Sequence, residues 1–414
     1  MSLEIRTVGD DDIHGWVVAV ATAFLQPPVA TEADVAYRRA DHDPDRTWGA
    51  YDGGRCVATF RSFAQELTVV GGATVPSDAV SAVTVAPTHR RRGLLSRIMA
   101  KDLRAAKERG DAVSSLIAAE YPIYGRFGYG PATWATTWRI DTARALLDPR
   151  LALPESEGRI DLASPAEVRE FGPGLHDRFR ALVPGAVSRG EVWWQRATGE
   201  IDLSIEPGTA NRHHAVYRSP SGEIEGLATY TYEAHWEANR PENTAHVQRL
   251  IATSPAAERA LWQFLCSIDW VRHVHTGRRA PDDLLPHFLG DPRAAAVDEH
   301  SDYLWLRPLD VPRLLRARTY PVSGSLVMEV EDRAGLAGGR FLLEATPTGA
   351  TCTSTTRSAD LTLDVAELGS LYLGDEAASR RAALGRVREE RPGALATADA
   401  LLHTARRPWC PDMF

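Results

Sequence analysis

Residues Val80–Gly130 read VSAVTVAPTHRRRGLLSRIMAKDLRAAKERGDAVSSLIAAEYPIYGRFGYG. Ser81–Val85 alternates small and β-branched residues, the pattern of a buried strand. Pro87–Gly93 breaks regular structure and carries four consecutive basic residues, His89 to Arg92. From Leu94 onward, Leu94, Leu95, Ile98, Met99 and Leu103 recur at helical spacing. Val113–Ala118 reads as a second strand, and Tyr121–Gly130 as a turn rich in Gly and Tyr.

Strand, basic Gly-containing loop and helix N-terminus together form an anion site. The first N–H groups of a helix have no intrahelical partner, and the helix dipole adds partial positive charge there. Arg90, Arg91 and Arg92 add formal charge, and Gly93 allows close backbone approach. A pyrophosphate fits such a site.

The loop resembles the Arg/Gln-x-x-Gly-x-Gly/Ala pattern of the GNAT superfamily of N-acetyltransferases through Arg90, Gly93 and Leu95, although Leu95 stands where that pattern has a small residue. The longer wording, VTVAPTHRRRGLL followed by IYGRFGYGPAT, resembles the Eis family, and so does LGSLYLG at Leu368–Gly374. That family acetylates amines with acetyl-CoA, aminoglycosides among them. The resemblance implies tandem GNAT-fold domains of α/β type, the second degenerate, then an α+β domain like sterol carrier protein. It also implies a homo-hexamer.

Working outward, 414 residues allow two or three domains. A net charge of -8 argues against nucleic acid as main partner and is compatible with cationic substrates. Lysine occurs only at Lys101 and Lys107 among 47 basic residues, a skew that reads as genome composition. Cys56, Cys266, Cys352 and Cys410 lie far apart, without ligand-spaced partners, so neither a metal site nor a disulfide framework is expected. No stretch approaches a membrane span, and the acidic N-terminus lacks a signal-peptide pattern. A cytoplasmic protein without membrane partners is the expectation.

In the first unit, residues 1–150, Leu3–Thr7 reads as a strand, Ile13–Phe24 and Thr31–Arg39 as helices, and Trp48–Tyr51 with Arg55–Ala64 as a hairpin around Asp52-Gly53-Gly54. Leu67–Val70 and Ala79–Val85 continue the sheet. Asp148–Glu157 is a boundary containing Pro and acid. Residues 151–307 repeat the order, with His246–Ala252 in the place of Val80–Val85 and Ala256–Cys266 in that of the Leu94 helix. The connection there is Thr253-Ser254-Pro255, without the Arg run or the Gly, so this unit has lost its phosphate cradle. In residues 308–414, Leu326–Glu331, Gly339–Glu344, Ala350–Thr355 and Leu361–Asp364 read as strands, and Val365–Tyr372 and Ala377–Val387 as helices.

Acetyl transfer to an amine requires a held thioester, a neutral amine, oxyanion donors and a proton for the leaving thiolate. Backbone groups of Val83, Thr84 and Val85 are placed to pair with the pantetheine arm and to polarise the thioester. Arg90–Arg92, Gly93, Leu94, Leu95 and Ser96 form the phosphate end, and Ala119 and Glu120 adjoin the cofactor through their backbone. Tyr124 and Tyr129 both suit a general acid by position. The resemblance assigns the role to the Tyr of Ile-Tyr-Gly-Arg, Tyr124. Side chains near the motif offer Glu108, Glu120 and His89 as bases, whereas the resemblance implies the C-terminal carboxylate, here that of Phe414. Phe24, Gln26, Trp193 and Trp194 are candidates for the acceptor pocket. Gln26 and Met413 stand where family members that acetylate many aminoglycosides carry acids. Asp412, Glu32, Asp34 and Glu66 are the carboxylates available to compensate. Acetylation of protein lysines or small polyamines, and non-catalytic sensing of CoA or lipid, are the alternatives.

Overall fold

Asp52-Gly53-Gly54 turns the chain as its sequence suggests. Asp52 pairs with Arg55 across two glycines, both at positive φ, the conformation that a two-residue hairpin matched to sheet twist requires. The computed structural model describes residues 3–150, 158–201, 203 and 211–414, so residues 151–157 of the expected boundary lie outside the described residues. Glu4–Thr7, helices Ile13–Ala23 and Glu32–Ala40, then Thr47–Asp52 and Arg55–Thr68 follow in order. One correction concerns Leu67–Val70. Leu67 and Thr68 end the long strand Arg55–Thr68, and the chain turns through Gly71 and Gly72 into Thr74–Val85.

Among the described residues, the first sheet has seven strands. Glu4–Thr7, Thr47–Asp52, Arg55–Thr68, Thr74–Val85 and Val113–Ile117 come from the first unit, with Thr74–Val85 and Val113–Ile117 parallel. Leu304–Pro308 follows, wedged between Val113–Ile117 and the short strand Gly130–Pro131. The second sheet, also of seven strands among the described residues, contains Trp134–Asp141 between Ala295–Asp302 and Val271–His275. The units thus exchange strands. Trp134–Asp141, inside residues 1–150, serves the second sheet, and Leu304–Pro308, near residue 307, serves the first.

The second sheet repeats the motif with a different connection. Asn243–Ala252 runs parallel to Val271–His275, and helix Pro255–Ser267 joins them. Its N-terminus is occupied from within: the Ser254 hydroxyl accepts from the Ala257 N–H at 3.2 Å and donates to Glu225 at 2.7 Å. A carboxylate there opposes a phosphate guest, in keeping with the expected loss of the cradle.

The third domain has a five-stranded sheet in the order Gly349–Ser354, Gly339–Thr346, Gly324–Glu331, Leu361–Asp364, Val387–Glu389. The expected helix Ala377–Val387 is helical only over Ala378–Ala383, because the chain turns at Gly385 and joins the sheet at Val387. Helix Val365–Tyr372 lies on the borrowed strand Leu304–Pro308. Arg307, buried, donates from Nη2 to both oxygens of Asp332 at 2.8 and 2.9 Å and so ties the first sheet to the third domain.

Candidate active site

The parallel strands Thr74–Val85 and Val113–Ile117 pair only as far as Val80 with Leu116. Beyond that point Ser81–Val85 remains bonded to Arg55–Thr68 on its other side, so its free edge opens a cleft. A bulge sits at the opening. The register slips between Thr59 and Arg61, and Ala82 has φ +50°, a left-handed conformation that costs a non-glycine residue strain. Its carbonyl is held by the Thr59 hydroxyl at 2.8 Å. Sequence reasoning missed Ala82, since an alanine gives no sign of positive φ. Val83 and Val85 pack partly into the core, and the buried Thr84 bonds Thr59 at 2.6 Å, leaving backbone groups for a guest.

After the strand, Arg91 and Gly93 both take positive φ, at 63° and 73°, and helix Leu94–Arg109 begins. Arg90, Arg91, Arg92 and Gly93 are exposed, and a Cβ built at Gly93 meets nothing within 4 Å. Among the described residues, no carboxylate pairs with these arginines. A cradle of free N–H groups, open backbone and unpaired cations suits a diphosphate. Leu94 is buried, Leu95 partly so, and Ser96 is exposed on the first turn. His89 does not face this guest. Its Nε2 lies 3.0 Å from Asp52 and its Nδ1 2.8 Å from the Thr88 hydroxyl, which ties the loop to the Gly53 hairpin.

Ala119 and Glu120, both exposed, follow the splayed strand end. Tyr124 closes the short helix Tyr121–Tyr124 and is buried at 7% exposure, in one cluster with Val83, Val85, Leu95 and Ala118. Its hydroxyl makes no hydrogen bond among the described residues, and burial, then Glu120, pushes the phenol above its ordinary value. Tyr129 differs. Its hydroxyl is locked to Ser114 at 2.7 Å in the core.

Phe414 stacks edge-on with Phe63, centroids 5.8 Å apart, and packs in the cluster of Val75, Val113 and Ile117. Leu116 belongs to the cluster of Tyr124 and Ile117 to that of Phe414, so both clusters meet at the end of this strand. The tail is pinned before it arrives. The Trp409 N–H donates to Pro184, and Arg189 Nε donates to both oxygens of buried Asp412 at 3.0 and 3.1 Å. Asp412 is therefore committed and does not offer a carboxylate to an amine. Asp34 caps its own helix at Thr31, and exposed Glu66 pairs with Arg180 at 2.9 Å; Glu32 is exposed at the start of that same helix.

Phe24 and Gln26 sit exposed at the end of the first helix. Trp193 and buried Trp194 stack edge-on on helix Glu191–Ala197, and no ring contact joins them to Phe24. Among the described residues, no group of three or more His, Cys, Asp or Glu is placed to hold a metal, and no helix is long and apolar enough to cross a membrane.

Residues 4–132 and 185–308 each match a family of acetyltransferase (GNAT) domains, and residues 311–411 match the sterol carrier protein domain. An uncharacterized N-acetyltransferase of Streptomyces avermitilis is 60% identical over all of this chain and 99% of its own. N-acetyltransferase Eis of Mycobacterium tuberculosis is 36% identical over 97% of this chain and 96% of its own. The crystal structure of Eis1 from Mycobacterium abscessus superposes with a TM-score of 0.84 at 32% identity, covering 99% of this chain and all of that one. A splayed pair of parallel strands over an open cationic loop, in a chain built of two acetyltransferase (GNAT) domains and a third domain and alike over nearly its whole length to Eis, places this protein among the Eis-like N-acetyltransferases.

Proposed function

We propose that the chain transfers acetyl from acetyl-CoA to a primary amine in one direct step. The observation that carries this reading is the unpaired edge of Ser81–Val85, with Tyr124 and Phe414 in the clusters that meet beside it. The Arg90–Ser96 cradle holds the diphosphate. Backbone N–H groups at the bulge polarise the carbonyl that bound acetyl-CoA supplies. Tyr124 is protonated at neutral pH and gives its proton to the departing sulfur, while the Phe414 carboxylate takes one from the attacking amine through a water. The resemblance to Eis supports aminoglycosides and other polyamines as acceptors and a homo-hexamer, and the lack of a signal-peptide pattern supports a cytoplasmic site of action.

Screening amines of several classes, aminoglycosides included, for release of free thiol tests the reading. Tyr124→Phe and deletion of Phe414 each lower kcat by about 10²–10⁴-fold in a folded protein. Near-normal turnover in either variant removes that residue from the mechanism. Acetyl-CoA binding without thiol release for any amine removes the activity.

A further inference from the structure

Chain ends fray unless something ties them down, and no later residue anchors Phe414. Past Asp412 the tail loses its polar hold. Among the described residues, no hydrogen bond reaches Met413 or Phe414, and Met413 is exposed. A base left that free meets an attacking amine in the right geometry only a small part of the time. What orders the terminal carboxylate has to act through the Phe414 ring.

Phe63 meets that ring, edge-on at 90° with centroids 5.8 Å apart. Such pairs are favoured because the positive rim of one ring faces the negative face of the other. Phe63 stands in register with Ala79, and Ala79 with Ser115, one pair before Val80 and Leu116 end the parallel ladder. It therefore lies on the strand beside the cleft, close to the level at which the Ser81–Val85 edge becomes free. Phe63 is itself held. Arg61, two residues earlier on the same strand face, places its guanidinium carbon 4.6 Å from the Phe63 ring centroid. Arg61 is buried, and its Nη2 donates to the Asp41 carbonyl at 3.2 Å and to the Asp41 carboxylate. Asp41 caps the C-terminus of helix Glu32–Ala40, so the row of contacts ends on a fixed element.

Core packing does not account for Phe63. It is partly buried, and it packs in none of the hydrophobic clusters of the described residues. Its ring and cation contacts among those residues are Phe414 and Arg61.

We propose that Phe63 is the positioning residue for the terminal carboxylate: steadied by Arg61, its ring clamps that of Phe414 and holds the carboxylate at the open end of the cleft. The inference rests on the acetyl-transfer reading and adds to it the residue that orders its base.

Two readouts test it, one of them free of activity. Carboxypeptidase is expected to remove Phe414 from Phe63→Ala faster than from the wild type by about tenfold or more, and from Phe63→Tyr, which keeps the ring, at the wild-type rate. With an amine found in the acceptor screen, kcat of Phe63→Ala is expected to fall by about tenfold or more, while KM for acetyl-CoA, set at the Arg90–Ser96 cradle, stays within about twofold. Phe63→Tyr restores kcat. Phe63→Leu fills the space without a ring and is expected to follow Phe63→Ala, so the test survives a Phe63→Ala protein that does not fold. In the chain lacking Phe414, Phe63→Ala is expected to cost no further activity, because it acts through the residue removed. A second loss of the same size there, or trimming that Phe63→Ala leaves unchanged, overturns the proposal. So does wild-type kcat in Phe63→Ala when deletion of Phe414 lowers it. The base is read separately: if deletion of Phe414 alone leaves turnover unchanged, the carboxylate is not the base, and faster trimming of Phe63→Ala then keeps the clamp without its catalytic purpose.

Discussion

Asp102 lies at 0% exposure on the core side of helix Leu94–Arg109, with Oδ1 accepting from Ser62 at 2.8 Å and Oδ2 unpartnered. Burial, and then Asp78, raise its carboxyl well above the usual range, while Asp78 pairs with Arg46 and Arg109, each at 3.0 Å. The folded state therefore holds a proton that the unfolded chain releases near 3.8, and stability falls as pH rises from there to the raised value. Asp102→Asn keeps the shape and the Ser62 bond without the titration. Urea unfolding at pH 4 and pH 7.5 is expected to show Asp102→Asn gaining on the wild type at the higher pH. A constant difference between the two proteins contradicts a protonated Asp102. Single residues were unevenly legible. The motif ranks Tyr124 above Tyr129, and the two differ in the structure, where the Tyr124 hydroxyl makes no hydrogen bond among the described residues and that of Tyr129 is bonded to Ser114. The commitments of His89 and Asp412 were not legible, because their partners, Asp52 and Arg189, are 37 and 223 residues away in sequence.

At the scale of elements, alternation and turn chemistry placed most strands, and Leu361–Asp364 and Val365–Tyr372 match the structure to the residue. The tail Trp409–Phe414 has no regular structure, so periodicity says nothing about it, and only the resemblance pointed to its end. Its order comes from side chains. Trp409 packs edge-on against Phe179 and under Arg279, Cys410 is buried, and Asp412 is held by Arg189 with His176 alongside at 3.9 Å. Burial and Arg189 hold His176 near 2, so it stays neutral and lends Asp412 no second charge. Removing one partner of a buried ion pair costs about 3–5 kcal/mol, comparable with what burial of the tail's own side chains supplies. Asp412→Asn is therefore expected to free the tail. Carboxypeptidase then trims Phe414 from the variant and spares the wild type, and kcat falls with trimming. A variant that resists the protease at wild-type turnover shows the tail to be held by Trp409 and Phe414 alone.

For the whole molecule, the exchange of Trp134–Asp141 for Leu304–Pro308 was not legible, because neither segment stood out as a strand and nothing in its sequence names the sheet it joins. It makes the three domains one mechanical unit. Leu304–Pro308 has Val113–Ile117 on one edge, Gly130–Pro131 on the other and helix Val365–Tyr372 on its face. That helix approaches so closely that a Cβ at Gly369 would lie 2.3 Å from the Leu306 carbonyl oxygen, and one at Gly130 would lie 2.0 Å from that of Ala366. The LGSLYLG block is thus a packing seam that docks the third domain, and with it the C-terminal tail, onto the strand beside the cleft. Gly369→Ala must push helix and sheet apart, at a cost of about 1–3 kcal/mol for one methyl group in a filled seam. Gly15→Ala is the control: Gly15 lies inside helix Ile13–Ala23 with nothing within 4 Å of a built Cβ. That change is expected to stabilise by about 0.5–1 kcal/mol through helix propensity alone. In urea, Gly369→Ala shifts a single cooperative transition to lower denaturant, because the strand it disturbs is lent to the first sheet by the second unit and carries the third domain's helix on its face, so these parts cannot unfold separately. Its kcat also falls, since Phe414 moves with the seam. An early, separate transition of the third domain, with the first sheet unfolding where it does in the wild type, contradicts the coupling that the borrowed strand requires.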